Sequence, residues 1–573
     1  MKPVVGRDFL TTILKEATPV DLRLVGRTLL HAAIVGVVAG LIGAAFFAGL
    51  EVVQRLILEQ LAGYRILRAS GETFLPEVDA GRPFRWWLLL FLPALGALGA
   101  GLVSQLAPET RGGGGDAMID AFHRKDGFIR RRVPGVKLLA SLFTLGTGGA
   151  GGREGPTMQI GGAVGSWVGR VLEVSAAERR ILMISGVAAG IAAVFRTPLG
   201  AALLAVEVLY RDDFESDALI PAVLASVTAY SVVISIFGES TLFAHPGRFP
   251  FLIRHLWLYG LLAVLVTVVA SVFVTSLRAV QRASDALKVP AWMKPAIGGA
   301  ALGVFCVPII LFVGWRLAQP GQGVGLLGGG YGSVQVAITG ASWLPGGWTG
   351  VGLLLFLCFA KVVASSLTIG SGGSAGDFAP ALVIGGLFGG AFGRAAQILT
   401  GDPRIDAGAF ALVAMGTFYG GVAHTPLSSL VLVCELAGSY DLLVPLMLAE
   451  GIAFVALRKK SLYHAQIASR RESPVHRTPT ADLLREARVA QVMKPVSLSG
   501  LPEVPPDVRV SPNDDLRSAT QTLLANKLRR VPVTDPDGRI VGMLDEADVS
   551  RYYLEATGRT PPPIAVEPPV AAS

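Results

Sequence analysis

Residues 146–170 read GTGGAGGREGPTMQIGGAVGSWVGR and bring together the side chains best suited to chemistry in this chain. A glycine-rich loop and the Arg153-Glu154 pair precede Pro156, which opens an apolar, glycine-spaced run with the composition of a helix buried in a membrane. Proline is favoured at the first helical position, so the spacing predicts a helix start at Gly155 or Pro156. The unpaired N–H groups of such a start carry about half a positive charge and point into the loop, which makes an anion site. Glycines let the backbone come close to an ion, and irregular backbone at membrane depth is tolerated only where it lines a cavity or is packed in protein. Glu154 stands at the mouth of this site. Its carboxylate is itself an anion, able to take the place of a permeating ion and to leave when protonated or displaced. In a soluble protein an acid at a helix start merely complements the dipole. Inside a bilayer an ionisable residue costs at least roughly 2.5–3.5 kcal/mol, which favours the functional reading.

The elements that must position these residues are membrane helices. Charged residues make up only 16% of the 573 positions, against about 25% in a soluble domain, and mean hydropathy is +0.56. Apolar runs long enough to span recur near 29–50, 86–106, 217–237, 256–280, 293–316 and 349–369. Shorter runs broken by Gly or Pro lie at 138–172, 180–209, 381–400 and 408–435, and interrupted segments point to a site at the midplane. The net charge of +8 sits in clusters such as Arg130-Arg131-Arg132 and Arg458-Lys459-Lys460. They read as cytoplasmic flanks, not a nucleic-acid surface. Met1 to Arg23 is polar and shows no cleavable signal, so a multi-pass protein of the plasma (inner) membrane with both termini cytoplasmic is expected. Cys306, Cys358 and Cys434 lie in apolar segments and imply neither disulfides nor a metal site.

An internal repeat organises the chain. PTMQIGGAVGSWVGR from Pro156 matches PALVIGGLFGGAFGR from Pro380, and TPLGAALLAVE, ending at Glu207, matches TPLSSLVLVCE, ending at Glu435. Each half thus offers a glycine loop running into a proline-started helix, the second being GSGGSAGDFAP at 370–380. Two such positive helix ends meeting at the midplane would replace the water that an anion sheds, without a full charge that would trap it. Duplications in transporters are often inverted.

With these residues in view, the chain resembles the CLC family of chloride channels and proton-coupled chloride exchangers. GREGP at 152–156 is similar to that family's central signature and GDFAP at 376–380 to its second, while GGGGD at 112–116 stands where the family has GSGIP. The resemblance covers residues 24–465. It implies an all-α polytopic fold of two inverted repeats, 24–245 and 246–465, with tilted, interrupted helices, in a homodimer with a pore in each subunit. It also implies a glutamate gate on Glu154, backbone amides of Glu154, Gly155, Asp377 and Phe378 facing the anion, and a pore tyrosine on Tyr463. Read alone, Tyr463 is an interfacial belt residue.

Three positions depart from the family pattern. Gly113 replaces a serine, removing a hydroxyl donor and bearing on the choice between chloride, nitrate and other anions. Asp377 replaces an apolar residue and should repel an anion unless its side chain turns away. Val208 stands where exchangers carry a second glutamate, after Glu207, which reads either as a proton-pathway acid or as a structural one paralleled by Glu435. An apolar residue there points to a passive, voltage- or pH-gated chloride channel, with proton-coupled antiport as the alternative.

Residues 1–23 read as an amphipathic cytoplasmic helix, 466–556 as a cytoplasmic linker and a small α/β domain, and 557–573 as a disordered tail. Residues 508–553, preceded by VMKPV, read as strand, helix, strand, Asp-Gly turn, strand and helix, and resemble one CBS motif. A complete module has two, so the copies are expected to pair across the dimer. The family's ribose-binding acid falls on Asp548, but Asp545 adds a negative charge that disfavours an adenine nucleotide, leaving dimer stabilisation as the plainer role. A third functional reading is a membrane-anchored CBS sensor. No catalytic constellation or cofactor is indicated, and chloride is the implied ligand.

Overall fold

Backbone polar groups in a bilayer have no water to bond, so apolar runs must satisfy them internally as helices. The computed structural model describes residues 19–72, 83–243, 248–249, 252–476, 487–495, 508–526 and 528–556, with Leu484. Two compact units divide it, Met1–Arg470 and Arg471–Ser573. The first holds α1 (Pro19–Gln54, continued by a π-helical turn to Leu61), α2 (Leu88–Val103), α3 (Gly115–Arg124), α4 (Val133–Gly146), α5 (Glu154–Val171), α6 (Ala176–Phe195), α7 (Pro198–Glu207) and α8 (Leu219–Phe237). It continues with α9 (Leu256–Ala286), α10 (Lys294–Arg316), α11 (Tyr331–Thr339), α12 (Gly347–Gly370), α13 (Phe378–Thr400), α14 (Ala407–Ala423), α15 (Pro426–Ala437) and α16 (Leu443–Ala456). Six described helical stretches are long and apolar enough to cross a membrane. The predicted span at 86–106 is shorter in the structure, Leu88–Val103 with Pro93 inside it.

The repeat is visible in how the halves bond to each other. Gly152 and Gly376, separated by the same distance in sequence as Pro156 and Pro380, pair as an antiparallel bridge, with N–H···O bonds of 2.8 and 2.7 Å running both ways. Nearby, the Ala150 N–H donates to the Thr368 hydroxyl at 3.0 Å and the Ser374 N–H donates to the Thr144 hydroxyl at 3.2 Å. Equivalent residues that exchange equivalent bonds while running in opposite directions are related by a two-fold axis. Such an axis is one that inverted halves require. Small residues let the long helices approach closely, as in other membrane bundles. A Cβ on Gly161 of α5 would collide with the Gly186 carbonyl of α6, and one on Gly385 of α13 would meet the Ala414 carbonyl of α14 at 2.6 Å.

The second unit contains α17 (Leu516–Ala525), β1 (Arg530–Thr534), β2 (Ile540–Asp545) and α18 (Glu546–Ala556). The strands form an antiparallel hairpin turned at Gly538, whose φ of +80° suits glycine. Val489, Val510, Leu516, Leu523, Val531, Val533, Leu544 and Val549 make its core. The first strand expected in 508–553 is not a strand in the described residues: Val510 makes a single bridge to Val533, and Lys494 of the preceding VMKPV makes one to Met543. Two expectations, the N-terminal amphipathic helix over residues 1–18 and the tail at 557–573, lie outside the described residues; positions 19–23 belong to α1.

Candidate functional site

Three chain segments converge where the two halves meet. Gly155, in the first turn of α5, comes so close to Gly376 and to the Gly113 carbonyl that a Cβ there would stand 2.7 Å from the Gly376 Cα and overlap the carbonyl oxygen. Only glycine fits. Gly114, with φ +93°, caps the start of α3 at the same place, so the starts of α3, α5 and α13 share one buried cradle. Buried lysines anchor two of the loops. Lys137 donates to the Thr110 and Gly112 carbonyls at 3.0 and 2.7 Å, and Lys361 to those of Leu326 and Gly328 at 3.1 and 2.8 Å. Two of the three donors of each ammonium thus go to loop backbone. The repeat, aligned on Pro156 and Pro380, also places these lysines at equivalent positions, a signal the sequence reading did not use.

Helix α5 begins at Glu154, one residue before the predicted start, within the usual spread of helix boundaries. The Glu154 side chain is buried and folds into the cradle. Its Oε1 accepts the Ala379 N–H at 2.6 Å and its Oε2 the Tyr331 hydroxyl at 3.2 Å. A carboxylate therefore occupies a backbone donor at the start of α13, the kind of position an anion seeks. Arg153 takes no part in this. Its guanidinium pairs with Glu72 at 3.3 Å and lies over the rings of Phe47 and Tyr331. Tyr331 was missed by sequence reasoning; the available signal was its place after the glycine run GLLGGG, directly at a helix start.

Deeper in the cradle, the Tyr463 hydroxyl donates to Asp377 Oδ1 at 3.2 Å and lies 3.4 Å from the Tyr419 hydroxyl. The Asp377 side chain does not turn away. Its Oδ2 would lie 3.4 Å from a Cβ at position 113, so the carboxylate fills the space beside the missing Gly113 side chain. Two departures from the family pattern are in fact one contact. Phe378 is buried, its ring against Phe195 and Tyr419.

Glu207 and Glu435 are bound reciprocally. Glu207 accepts the N–H groups of Leu427 and Ser428 at 3.1 and 2.8 Å, at the start of α15, and Glu435 accepts those of Leu199 and Gly200 at 3.1 and 2.8 Å, at the start of α7. Each acid caps the other half's helix. Val208 is fully buried. A further acid, Glu450, sits inside α16 against Ser429, and its Oε2 has no partner among the described residues. A single acid within LVPLMLAEGIAFVA was the sequence signal for it.

In the second unit the Asp548 carboxylate is engaged by Lys494 at 2.6 Å, and Asp545 by Arg530 at 2.7 Å. Partial burial opposes ionisation of Asp545, but the Ala547 N–H and Arg530 outweigh it and hold its carboxyl below the usual range. Among the described residues no group of three or more His, Cys, Asp or Glu is placed to hold a metal ion.

Residues 95–458 match the family described as voltage gated chloride channel, and residues 498–555 match the CBS domain. The chain is 32% identical over 470 residues to the H(+)/Cl(-) exchange transporter ClcA of Salmonella arizonae, covering 81% of this chain and 91% of that one. It is 31% identical to the ClcA of Yersinia pestis, covering 77% and 87%. Among solved structures it is similar to a slow cyanobacterial Cl-/H+ antiporter, with TM-score 0.63, 24% identity, and 76% and 94% of the two chains covered. A CLC-type fluoride/proton antiporter also matches, with TM-score 0.63, 22% identity, and 79% and 100% covered. At these identities the structural matches speak for the fold.

Proposed function

The chain belongs to the voltage gated chloride channel family, a family of transporters and channels and not of enzymes, and from that premise we propose that it carries chloride across a membrane in exchange for protons. The observation that carries this reading is the Glu154 carboxylate on the Ala379 N–H at 2.6 Å, inside a cradle of helix starts. A halide and a carboxylate compete for the same donors. Protonated, Glu154 loses the charge that those donors favour and yields its place to the anion; deprotonated, it returns and blocks the way. One carboxyl group thereby links proton binding to anion passage. A hydrogen bond to a charged group contributes about 1.5–3 kcal/mol, enough to hold the gate and weak enough to release it.

The curated relatives are named proton/chloride exchangers, which favours coupled exchange for this chain over the passive channel that Val208 suggests. The channel remains the second reading, because no acid stands at position 208. Purified protein in vesicles separates them. An imposed chloride gradient should drive protons uphill, and chloride flux without proton movement leaves the channel. We place the protein in the plasma (inner) membrane as a homodimer, with both termini cytoplasmic and with the CBS units paired across the dimer. Asp548 is engaged by Lys494, so the tail acts as a dimer clamp in this reading and not as a nucleotide sensor.

A further inference from the structure

Given the anion pathway proposed for Glu154, we propose that Asp377 is a second protonatable gate, whose carboxylate occupies an inner anion position between Gly113 and Tyr463 and admits an anion there only after taking up a proton. The geometry is specific. Asp377 Oδ1 accepts the single hydroxyl proton of Tyr463 at 3.2 Å, and Oδ2 lies beside Gly113, 3.4 Å from where a Cβ would stand. While this bond holds, Tyr463 has no donor left for an anion. The charged carboxylate offers acceptors only.

Protonation reverses both facts. The neutral acid has an O–H to donate, so it supplies the hydroxyl that Gly113 lacks, and Tyr463 is free to turn its own proton toward the ion. The step balances as carboxylate plus proton plus halide giving carboxylic acid hydrogen-bonded to halide. The proton is held while the anion occupies the site and is given up when the carboxylate reforms. The titratable and charged groups that face Asp377 are Glu154 on α5, Lys137 on α4, Asp116 on α3, and the hydroxyls of Tyr463 and Tyr419. Lys137 is committed to two carbonyls, and Asp116 accepts the Ala465 N–H at 2.9 Å, so neither contacts the Asp377 carboxylate in place of Tyr463. The pathway then has two carboxyl gates in series, and the second is an acid on the route itself where Val208 provides none.

The test is bromide binding by calorimetry to full-length Glu154→Gln protein, in which the first gate is already neutral, between about pH 5 and pH 8. Affinity should fall by up to about tenfold per pH unit once Asp377 ionises, and titrations in buffers of different ionisation heat should show one proton taken up per bromide. Adding Asp377→Asn should make binding independent of pH and remove the proton uptake. Binding to Glu154→Gln that is flat with pH and takes up no proton overturns the proposal without needing the second variant to fold. Persistence of the pH dependence in the double variant overturns it too, by assigning the proton elsewhere. Bromide binding in the double variant leaves the anion-pathway reading intact under either result. No bromide binding to Glu154→Gln at any pH takes down that reading and this one together.

Discussion

At the scale of single residues, the proposed function turns on which groups a carboxylate can borrow from an anion. Glu154 holds an amide N–H and the Tyr331 hydroxyl, both fully shielded from water, where hydrogen bonds are stronger and unpaired groups cost more. Glu154→Gln keeps the shape but never carries charge. Its chloride flux should be at least as fast as that of the native chain and should lose its dependence on pH, measured by vesicle efflux across a pH series. Unchanged pH dependence would remove Glu154 from gating. Tyr331→Phe deletes one bond to the blocking carboxylate, worth about 1.5–3 kcal/mol, and so should raise flux most at high pH, where Glu154 is charged. If that variant slows transport instead, the tyrosine serves the passing ion and not the gate.

At the scale of elements, the helices are held by each other's ends. Glu207 and Glu435 each pair two N–H groups that open a helix of the opposite half. Removing Glu207 strands a buried donor, at about 1–3 kcal/mol, whereas the donors that Glu435 holds are partly open to solvent and cost less to leave unpaired. Glu207→Ala should therefore lower the thermal midpoint of the purified protein more than Glu435→Ala does, while Glu207→Gln, which keeps an acceptor, should leave proton coupling in place. Loss of coupling in Glu207→Gln with stability intact would assign Glu207 to the proton route. The loop of GGGGD does open into a helix, α3, but its anchoring by Lys137 joins separate segments and could not be read locally. The same holds for Lys361 and the loop before α11.

At the scale of the whole molecule, the two units are compact separately, and the chemistry argued here lies in Met1–Arg470. Deleting residues 471–573 should then spare anion flux per folded dimer while lowering the fraction of dimer at low protein concentration, as read by vesicle efflux and by sizing in detergent. A truncated chain that dimerises normally but carries no anion would support the sensor reading of the tail. Inversion of the halves belongs to this scale too. The repeat PTMQIGG and PALVIGG announces a duplication, but two copies in sequence are compatible with parallel or inverted packing; the reciprocal bridge of Gly152 and Gly376 shows that a two-fold axis relates them, and the inverted arrangement is that of the fold shared with the solved antiporter structures.

What the amino-acid sequence determined by itself was what local chemistry can encode. It showed membrane helices from apolar length and helix starts from Pro156 and Pro380, and it pointed to an anion site at the glycine loops before those starts, with Glu154 at its mouth. Only the tertiary structure decided where side chains point. That Asp377 fills the space at Gly113, that Tyr463 spends its proton on Asp377, and that Glu207 caps a helix of the other half all depend on contacts between distant segments. Such contacts leave no local periodicity to read. They are set by how closely the helix ends approach, and at Gly155 that approach is close enough to exclude a single methyl group.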